Sequence, residues 1–304
     1  MRALVVDSDA PGSLRLGSAP EPEPASDQVV IEVRHFSLNR GEVLFAGRRP
    51  RGTVHGYDAS GVVVRAAADG SGPEVGSRVA AFGAGAWAER MAVETTAVAR
   101  VPDGVDLGAA AAIPMAGVTA LRTLRSRDIL GRRVLITGAA GGVGRFAVQL
   151  AALGGAHVIA SVGSPGRGAG LAELGAHEIV VGVDGIERPV DLVLDNVGGP
   201  QLAAAWELLA PGGAVQNIGW ASGEPAVFEP YSLFFVGPAK SMNTFGDVRE
   251  VGPDLATLLE FAAAGRLSAE VDWRGPWERF PEATRALVER RIAGKAVLEI
   301  PTSG

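Results

Sequence analysis

The chain contains no cysteine, which excludes disulfides, thiolate nucleophiles, iron–sulfur clusters and any zinc site built on sulfur. Histidine is scarce: His35, His55, His157 and His177 are scattered and none has H-E-x-x-H spacing, so no metal is expected. Basic clusters are also missing. Lys and Arg number 28 against 34 Asp and Glu, a net charge of −6 without strong clustering, which argues against nucleic acid or an anionic membrane surface as partner. The most apolar window, residues 107–121, is too short to span a bilayer and contains Pro114 and Thr119. The first residues, MRALVV, lead directly to Asp7 and Asp9 without a long apolar core, so a cytoplasmic protein is expected. There is no internal repeat or low-complexity tract.

What is present is ample material for two cores: 304 residues, 47% of them hydrophobic. The most informative stretch is VLITGAAGGVGRFAVQLAAL at residues 134–153. An apolar, partly β-branched run leads through Gly138, Ala139, Ala140, Gly141, Gly142, Val143 and Gly144 into a stripe of Phe146, Ala147, Leu150 and Leu153 at helical spacing. Glycines here allow a tight turn and let phosphate oxygens approach the backbone N–H groups at the start of a helix, where the helix dipole favours an anion. The strict G-x-G-x-x-G pattern misses its first position, which is Ala139. The preceding strand, the following helix and a second strand from residue 157 restore the βαβ context of a dinucleotide site.

Between Arg145 and Ala172 there is no Asp or Glu. An NAD site places an acidic side chain about 20 residues beyond the glycines, to accept from the ribose hydroxyls. The second strand ends instead in Ser161, Val162, Gly163, Ser164, Pro165, Gly166 and Arg167. Two hydroxyls, a flexible glycine and a guanidinium suit a 2′-phosphate, so the expected cofactor is NADPH; the competing role for Arg167 is that of a solvated surface residue.

Short β-rich runs fill the first hundred residues, at 2–7, 28–35, 61–66, 77–82 and 88–93, separated by turn material such as PEPEP and DGSGP. Strands at 134–137, 157–161, 178–182, 191–196, 214–219 and 240–245, with helical crossovers such as 199–210, then predict a doubly wound parallel sheet. Helices follow at 252–265 and 281–291. A last strand at 295–300 has no place in that sheet and is expected to return to the N-terminal domain.

Taken in order, SLNRGEVLFAG at 37–47, GYDASGVV at 56–63, GSRVAAFG at 76–83, AAIPMAGVTAL at 111–121, the GAAGGVG turn, DLVLDNVGG at 191–199 and GKAVLEI at 294–300 resemble the zinc-free quinone oxidoreductase branch of the medium-chain dehydrogenase/reductase superfamily. The resemblance covers essentially the whole chain. It implies an α/β protein with a GroES-like β-rich catalytic domain (residues 1–112 and 247–304), a Rossmann NADPH-binding domain (residues 113–246), a cleft between them and a homodimer. By the same resemblance Asn39 and Thr119 lie at the nicotinamide, and Asn196, Val197 and Gly219, at strand ends, wall the cofactor. Structural roles compete with these: a turn cap for Asn39, a helix back-bond for Thr119 and plain strand ends for Val197 and Gly219.

Zinc-dependent relatives carry a histidine where this chain has Tyr57. A phenol there suits hydrogen bonding to a developing oxyanion, or packing beneath the cofactor. The segments between Gly47 and Gly56 and between Gly182 and Asp191 are short, leaving substrate size open.

The implied reaction is hydride transfer from NADPH to a small electrophilic acceptor, either a quinone or an α,β-unsaturated carbonyl. A quinone needs least from the protein, whereas an enoyl thioester needs oxyanion stabilisation and a proton donor that the sequence does not identify. A short-chain dehydrogenase also fits T-G-x-x-x-G-x-G but needs Tyr-x-x-x-Lys, and neither Tyr57 nor Tyr231 has a lysine four residues on. A non-catalytic NADPH-binding protein is the reading from a different class, opposed by the presence of both Asn39 and Thr119.

Overall fold

The computed structural model describes residues 1–234 and 236–301. It divides into two compact units, Met1–Val118 together with the chain from Val248 onward, and Thr119–Asp247.

The first unit opens with β1 (Arg2–Val6) and β2 (Leu14–Ser18), an antiparallel pair. The long strand β3 (Gln28–Leu38) follows, then helix α1 (Arg40–Phe45), β4 (Asp58–Arg65), β5 (Arg78–Phe82), β6 (Arg90–Glu94) and β7 (Val98–Arg100). Two short helices close the stretch, α2 (Leu107–Ala111) and α3 (Pro114–Leu124), the second crossing the sequence boundary between the units.

The second unit alternates strand and crossover: β8 (Arg133–Thr137), α4 (Gly142–Leu153), β9 (His157–Val162), β10 (Glu178–Val181), β11 (Val190–Asp195), α5 (Gly199–Glu207), β12 (Leu209–Asn217) and β13 (Ser241–Thr244). The chain then returns to the first unit with α6 (Gly252–Ala263), β14 (Val271–Pro276), α7 (Phe280–Val288) and β15 (Lys295–Glu299).

In the first unit the sheet runs β14-β15-β3-β4-β5-β7, with β6 also on β3. The last strand lies antiparallel on β3, pairing Ala296 with Leu38 and Glu299 with His35. Beside it the fully buried Trp87 and Trp277 meet Phe36, at ring separations of 5.7 and 6.4 Å. The 3₁₀ turn carrying Trp277, Trp277–Arg279, belongs to the C-terminal stretch, so this ring cluster and β15 together fasten that stretch to the N-terminal strands.

In the second unit six parallel strands lie in the order β10-β9-β8-β11-β12-β13. The order reverses between β8 and β11, which is where such sheets leave a crevice at the carboxyl ends of the strands. Leu135, Val193 and Val215, from three neighbouring strands, pack with Leu202 and Trp206 of α5 in one apolar cluster. The crossover from β9 to β10 contains only a 3₁₀ turn, Pro165–Gly168, and no α-helix. Four glycines and a proline among residues 163–170 account for this, since each disfavours a helix interior. Three strands escape the expected pattern, β2, β7 and β14, and β12 begins at Leu209, earlier than the apolar run starting at residue 214 suggests. Among the described residues no helix is long and apolar enough to cross a membrane.

If Trp277 anchors the C-terminal stretch, Trp277→Ala lowers unfolding free energy by about 3–5 kcal/mol, whereas Trp220→Ala, at a half-exposed ring, costs much less. Urea titration of both variants checks this, and equal losses would contradict the anchoring role.

Candidate active site

The nucleotide-binding candidate sits at the carboxyl end of β8. Gly141 is the N-cap of α4, and no side chain caps the helix. The first-turn N–H groups of Gly142, Val143 and Gly144 therefore have no intrahelical carbonyl to bond, the condition that suits an anion. Gly144 is demanded by space: a Cβ there would lie 2.4 Å from the Gly138 carbonyl oxygen and 2.6 Å from the Ala139 Cα. The helix start is thus pressed directly onto the turn. Ala140 is buried, while Gly141, Gly142 and Val143 are half-buried.

The ends of β8, β11 and β12 are tied together by Asp195, which is fully buried. Thr137 Oγ1 donates to its Oδ1 at 2.7 Å, and the Gly198 N–H and Asn217 Nδ2 donate to its Oδ2 at 3.0 and 2.9 Å. Asn196 is held in turn by Thr137, its Nδ2 donating to the Thr137 carbonyl at 2.9 Å. The Gly219 N–H reaches the Asp195 carbonyl at 3.2 Å. Asn196, Val197 and Gly219 therefore gather beside the glycine turn; a Cβ on Gly138 would stand 3.3 Å from both Asn196 and Val197 side chains.

At the end of β9, Gly163 and Ser164 are exposed and Arg167 is half-buried. Ser161 departs from expectation. It is fully buried, and its hydroxyl donates to the Gly182 carbonyl at 2.7 Å and accepts from Gln201 Nε2 at 2.8 Å, so it braces β9 from within. A residue that sequence reasoning missed is Arg145 on α4, whose Nη2 donates to the Ala169 carbonyl at 2.8 Å. It ties the loop carrying Ser164 and Arg167 to the same helix that faces the turn. Thr119 is buried on α3, its carbonyl accepting the Thr123 hydroxyl at 2.7 Å.

In the first unit Asn39 is held by Asp58, a second fully buried aspartate, which directly follows Tyr57 in the chain. Ser37 Oγ and Asn39 Nδ2 each donate to Asp58 Oδ2 at 2.8 Å, and the Met115 N–H donates to Oδ1 at 2.9 Å. The buried ammonium of Lys295 lies 3.3 Å from Oδ2. Asn39 is also the N-cap of α1 in a capping box, its N–H donating to Glu42 Oε2 at 2.8 Å. Cap and amide anchor are thus both realised in one residue.

Tyr57 is half-buried, its ring stacked on Phe82 at 5.7 Å. Arg49 Nη2 donates to its phenol oxygen, which leaves the phenol hydrogen available to another acceptor. The residue before it, Gly56, has φ +92° and lies against Trp87, where a Cβ would come within 2.1 Å of the indole. His55 is internal: its Nε2 bonds the Glu42 carbonyl at 2.9 Å, its ring sits edge-on to Trp87 at 4.9 Å, and burial lowers its basicity.

Glu42, Asp58, Lys295 and Arg49 were not singled out from the sequence. Asp58 lies inside the GYDASGVV motif and Lys295 inside GKAVLEI, but only the folded sheet brings them together. Burial, and then the neighbouring Asp58 carboxylate, push the Glu42 carboxyl up to about 8 from an ordinary 4.5, against the opposing pull of Lys295. The folded protein therefore holds an extra proton across that window. Stability falls as pH rises from about 4.5 to about 8 through this group. Glu42→Gln should flatten that decline in urea midpoints measured across the same range; an unchanged slope would contradict the assignment.

Comparison with known proteins agrees with this architecture. An alcohol dehydrogenase GroES-like domain model matches residues 25–103, and a zinc-binding dehydrogenase model matches residues 174–298. The quinone oxidoreductase from Coxiella burnetii is 25% identical in sequence, with 99% of each chain covered and a TM-score of 0.84. A mycobacterial protein complexed with NADPH is also 25% identical, covering 98% of this chain and 100% of its own, with a TM-score of 0.87. A mycocerosic acid synthase-like polyketide synthase of Mycolicibacterium smegmatis is 29% identical over 100% of this chain. The chain spans 9% to 16% of the length of the first polyketide synthases it matches. Two dehydrogenase models on successive parts of the sequence and whole-chain likeness in structure place the chain in the medium-chain dehydrogenase/reductase superfamily.

Proposed function

We propose that this oxidoreductase uses NADPH to reduce a quinone or an α,β-unsaturated carbonyl without a catalytic metal. The observation carrying the proposal is the uncapped start of α4, pressed by Gly144 onto the turn at the switch point of the parallel sheet. The residues fit the nucleotide: the amides of Gly142, Val143 and Gly144, with Ala140 and Gly141 shaping the turn, suit a pyrophosphate. Gly163, Ser164 and Arg167 suit the 2′-phosphate, with the buried Ser161 bracing their strand. The absence of Asp and Glu between Arg145 and Ala172 supports the phosphorylated nucleotide over NADH.

When bound, the reduced nicotinamide supplies the hydride. The chain's own contribution is orientation and charge. Asn196, Val197 and Gly219 wall the nucleotide, and Asn39 and Thr119 orient the reacting end. Tyr57, relieved of its oxygen's acceptor role by Arg49, donates its phenol hydrogen to the oxyanion that develops on the acceptor. Tyrosine stands where zinc-dependent relatives carry histidine, and the chain has no cysteine, so the donor set for their metal is missing.

A second reading, reduction of an enoyl thioester, is supported by the whole-chain similarity to a segment of a polyketide synthase. We also read the protein as a cytoplasmic homodimer. The outer edge of β13 ends the parallel sheet, and exposed Tyr231 and Phe234 precede it in the chain.

NADPH absorbance followed with 1,4-naphthoquinone, an enone and an enoyl thioester should show steady oxidation with at least one. Tight NADPH binding without turnover across the panel would favour a binding protein. Tyr57→Phe should lower turnover on an enone by about tenfold or more, and unchanged turnover would remove it from the mechanism. Calorimetry should give a lower Kd for NADPH than for NADH, with the gap narrowed in Arg167→Ala; equal wild-type affinities would end the phosphate assignment.

A further inference from the structure

Asn39, Asp58 and Lys295 close a ring of hydrogen bonds. Asn39 Nδ2 donates to Asp58 Oδ2 at 2.8 Å, Lys295 Nζ donates to Asn39 Oδ1 at 2.6 Å, and the same ammonium reaches Asp58 Oδ2 at 3.3 Å. This ring has one solution. An ammonium only donates and a carboxylate only accepts, so the Asn39 carbonyl must face Lys295 and its amino group must face Asp58. Turning the amide over would set donor against donor and acceptor against acceptor.

Both charges are sealed from water, the Lys295 side chain 2% exposed and that of Asp58 0%, so no solvent competes for the ring. Lys295 gains a further acceptor in the Leu38 carbonyl at 3.3 Å. Asp58 is fixed from its other oxygen by the Met115 N–H. The second lone pair of the Asn39 oxygen accepts the Glu42 N–H in the capping box, so once the ring is closed Asn39, itself half-buried, retains one side-chain N–H.

We propose that Lys295 and Asp58 are positioning residues that hold the Asn39 carboxamide in a single orientation, so that its remaining N–H donor meets the reacting end of the bound nucleotide and acceptor in one sense only. The proposal rests on the reading above that places Asn39 at the nicotinamide. It gives the last strand a task beyond closing the sheet: a lysine 256 positions along the chain from Asn39 sets the direction of that residue's amide.

The test pairs a measurement on the nucleotide-free protein with kinetics. Nuclear magnetic resonance of ¹⁵N-labelled protein, with the Asn39 side-chain signals identified by their loss in Asn39→Ala, should show slow hydrogen exchange in the wild type and exchange at least about tenfold faster in Lys295→Met. Because breaking a buried ion pair can prevent folding, Asp58→Asn/Lys295→Met serves as the second variant. It removes both charges at similar volume, and Asn at position 58 can present either a donor or an acceptor, which frees the amide to turn.

With melting temperature close to wild type, the double variant should keep its NADPH affinity within about twofold while kcat falls by about tenfold or more. Full kcat in that variant, or rapid exchange of the Asn39 amide in the wild type, would overturn the proposal. If neither variant folds, the wild-type exchange rate decides. Wild-type protein that oxidises no NADPH with any acceptor would sink the functional reading instead, while the exchange measurement still decides the clamp.

Discussion

A carboxylate sealed from water must collect hydrogen-bond donors, and both units of this protein are organised around that obligation. In the first unit Asp58 gathers a serine hydroxyl, an asparagine amide, a backbone N–H and a lysine ammonium, drawing together β3, β4, α3 and β15. In the second, Asp195 gathers a threonine hydroxyl, an asparagine amide and backbone N–H groups, drawing together the ends of β8, β11 and β12. Each aspartate lies next to an asparagine in the folded structure, Asn39 in one unit and Asn196 in the other. Each also fixes the backbone or side chains assigned to the reaction.

The two arrangements differ in charge, and the difference matches their tasks. Asp195 is surrounded by neutral donors and shapes backbone, leaving the phosphate assignment to the helix start and to the loop with Arg167. Asp58 is matched by a buried cation, and burial, reinforced by the Asp58 carboxylate, holds the proton of the Glu42 carboxyl to about pH 8. A site built on one cation and one anion resists rearrangement, because removing either partner leaves an uncompensated buried charge. That rigidity suits a reaction in which the protein contributes mainly orientation, the hydride coming from the nucleotide.

Legibility in the sequence followed the range of the interactions. The glycine turn, the apolar strands of the parallel sheet and the stripe on α4 are local patterns, readable within windows of about 20 residues. The missing acid after β9 is likewise local. The three residues of β7 are too few for a period to register, and β14, VDWRGP, interleaves charges and ends in Gly-Pro, so no apolar run marks it. Residue type alone suits Ser161 to a phosphate, but strand alternation turns its hydroxyl toward Gly182 and Gln201. The pairing of Asp58 with Lys295, 237 positions apart, has no local signature; it exists only because β15 lies on β3 beside β4. Arg49 is similar, since its contact with Tyr57 depends on how the short loop after α1 folds back.

The most direct test of the central claim is a crystal structure of the protein with bound NADPH. The account predicts the pyrophosphate on the backbone N–H groups of Gly142, Val143 and Gly144, with the 2′-phosphate at Ser164 and Arg167. An empty turn, or a nucleotide held elsewhere on the chain, would contradict it.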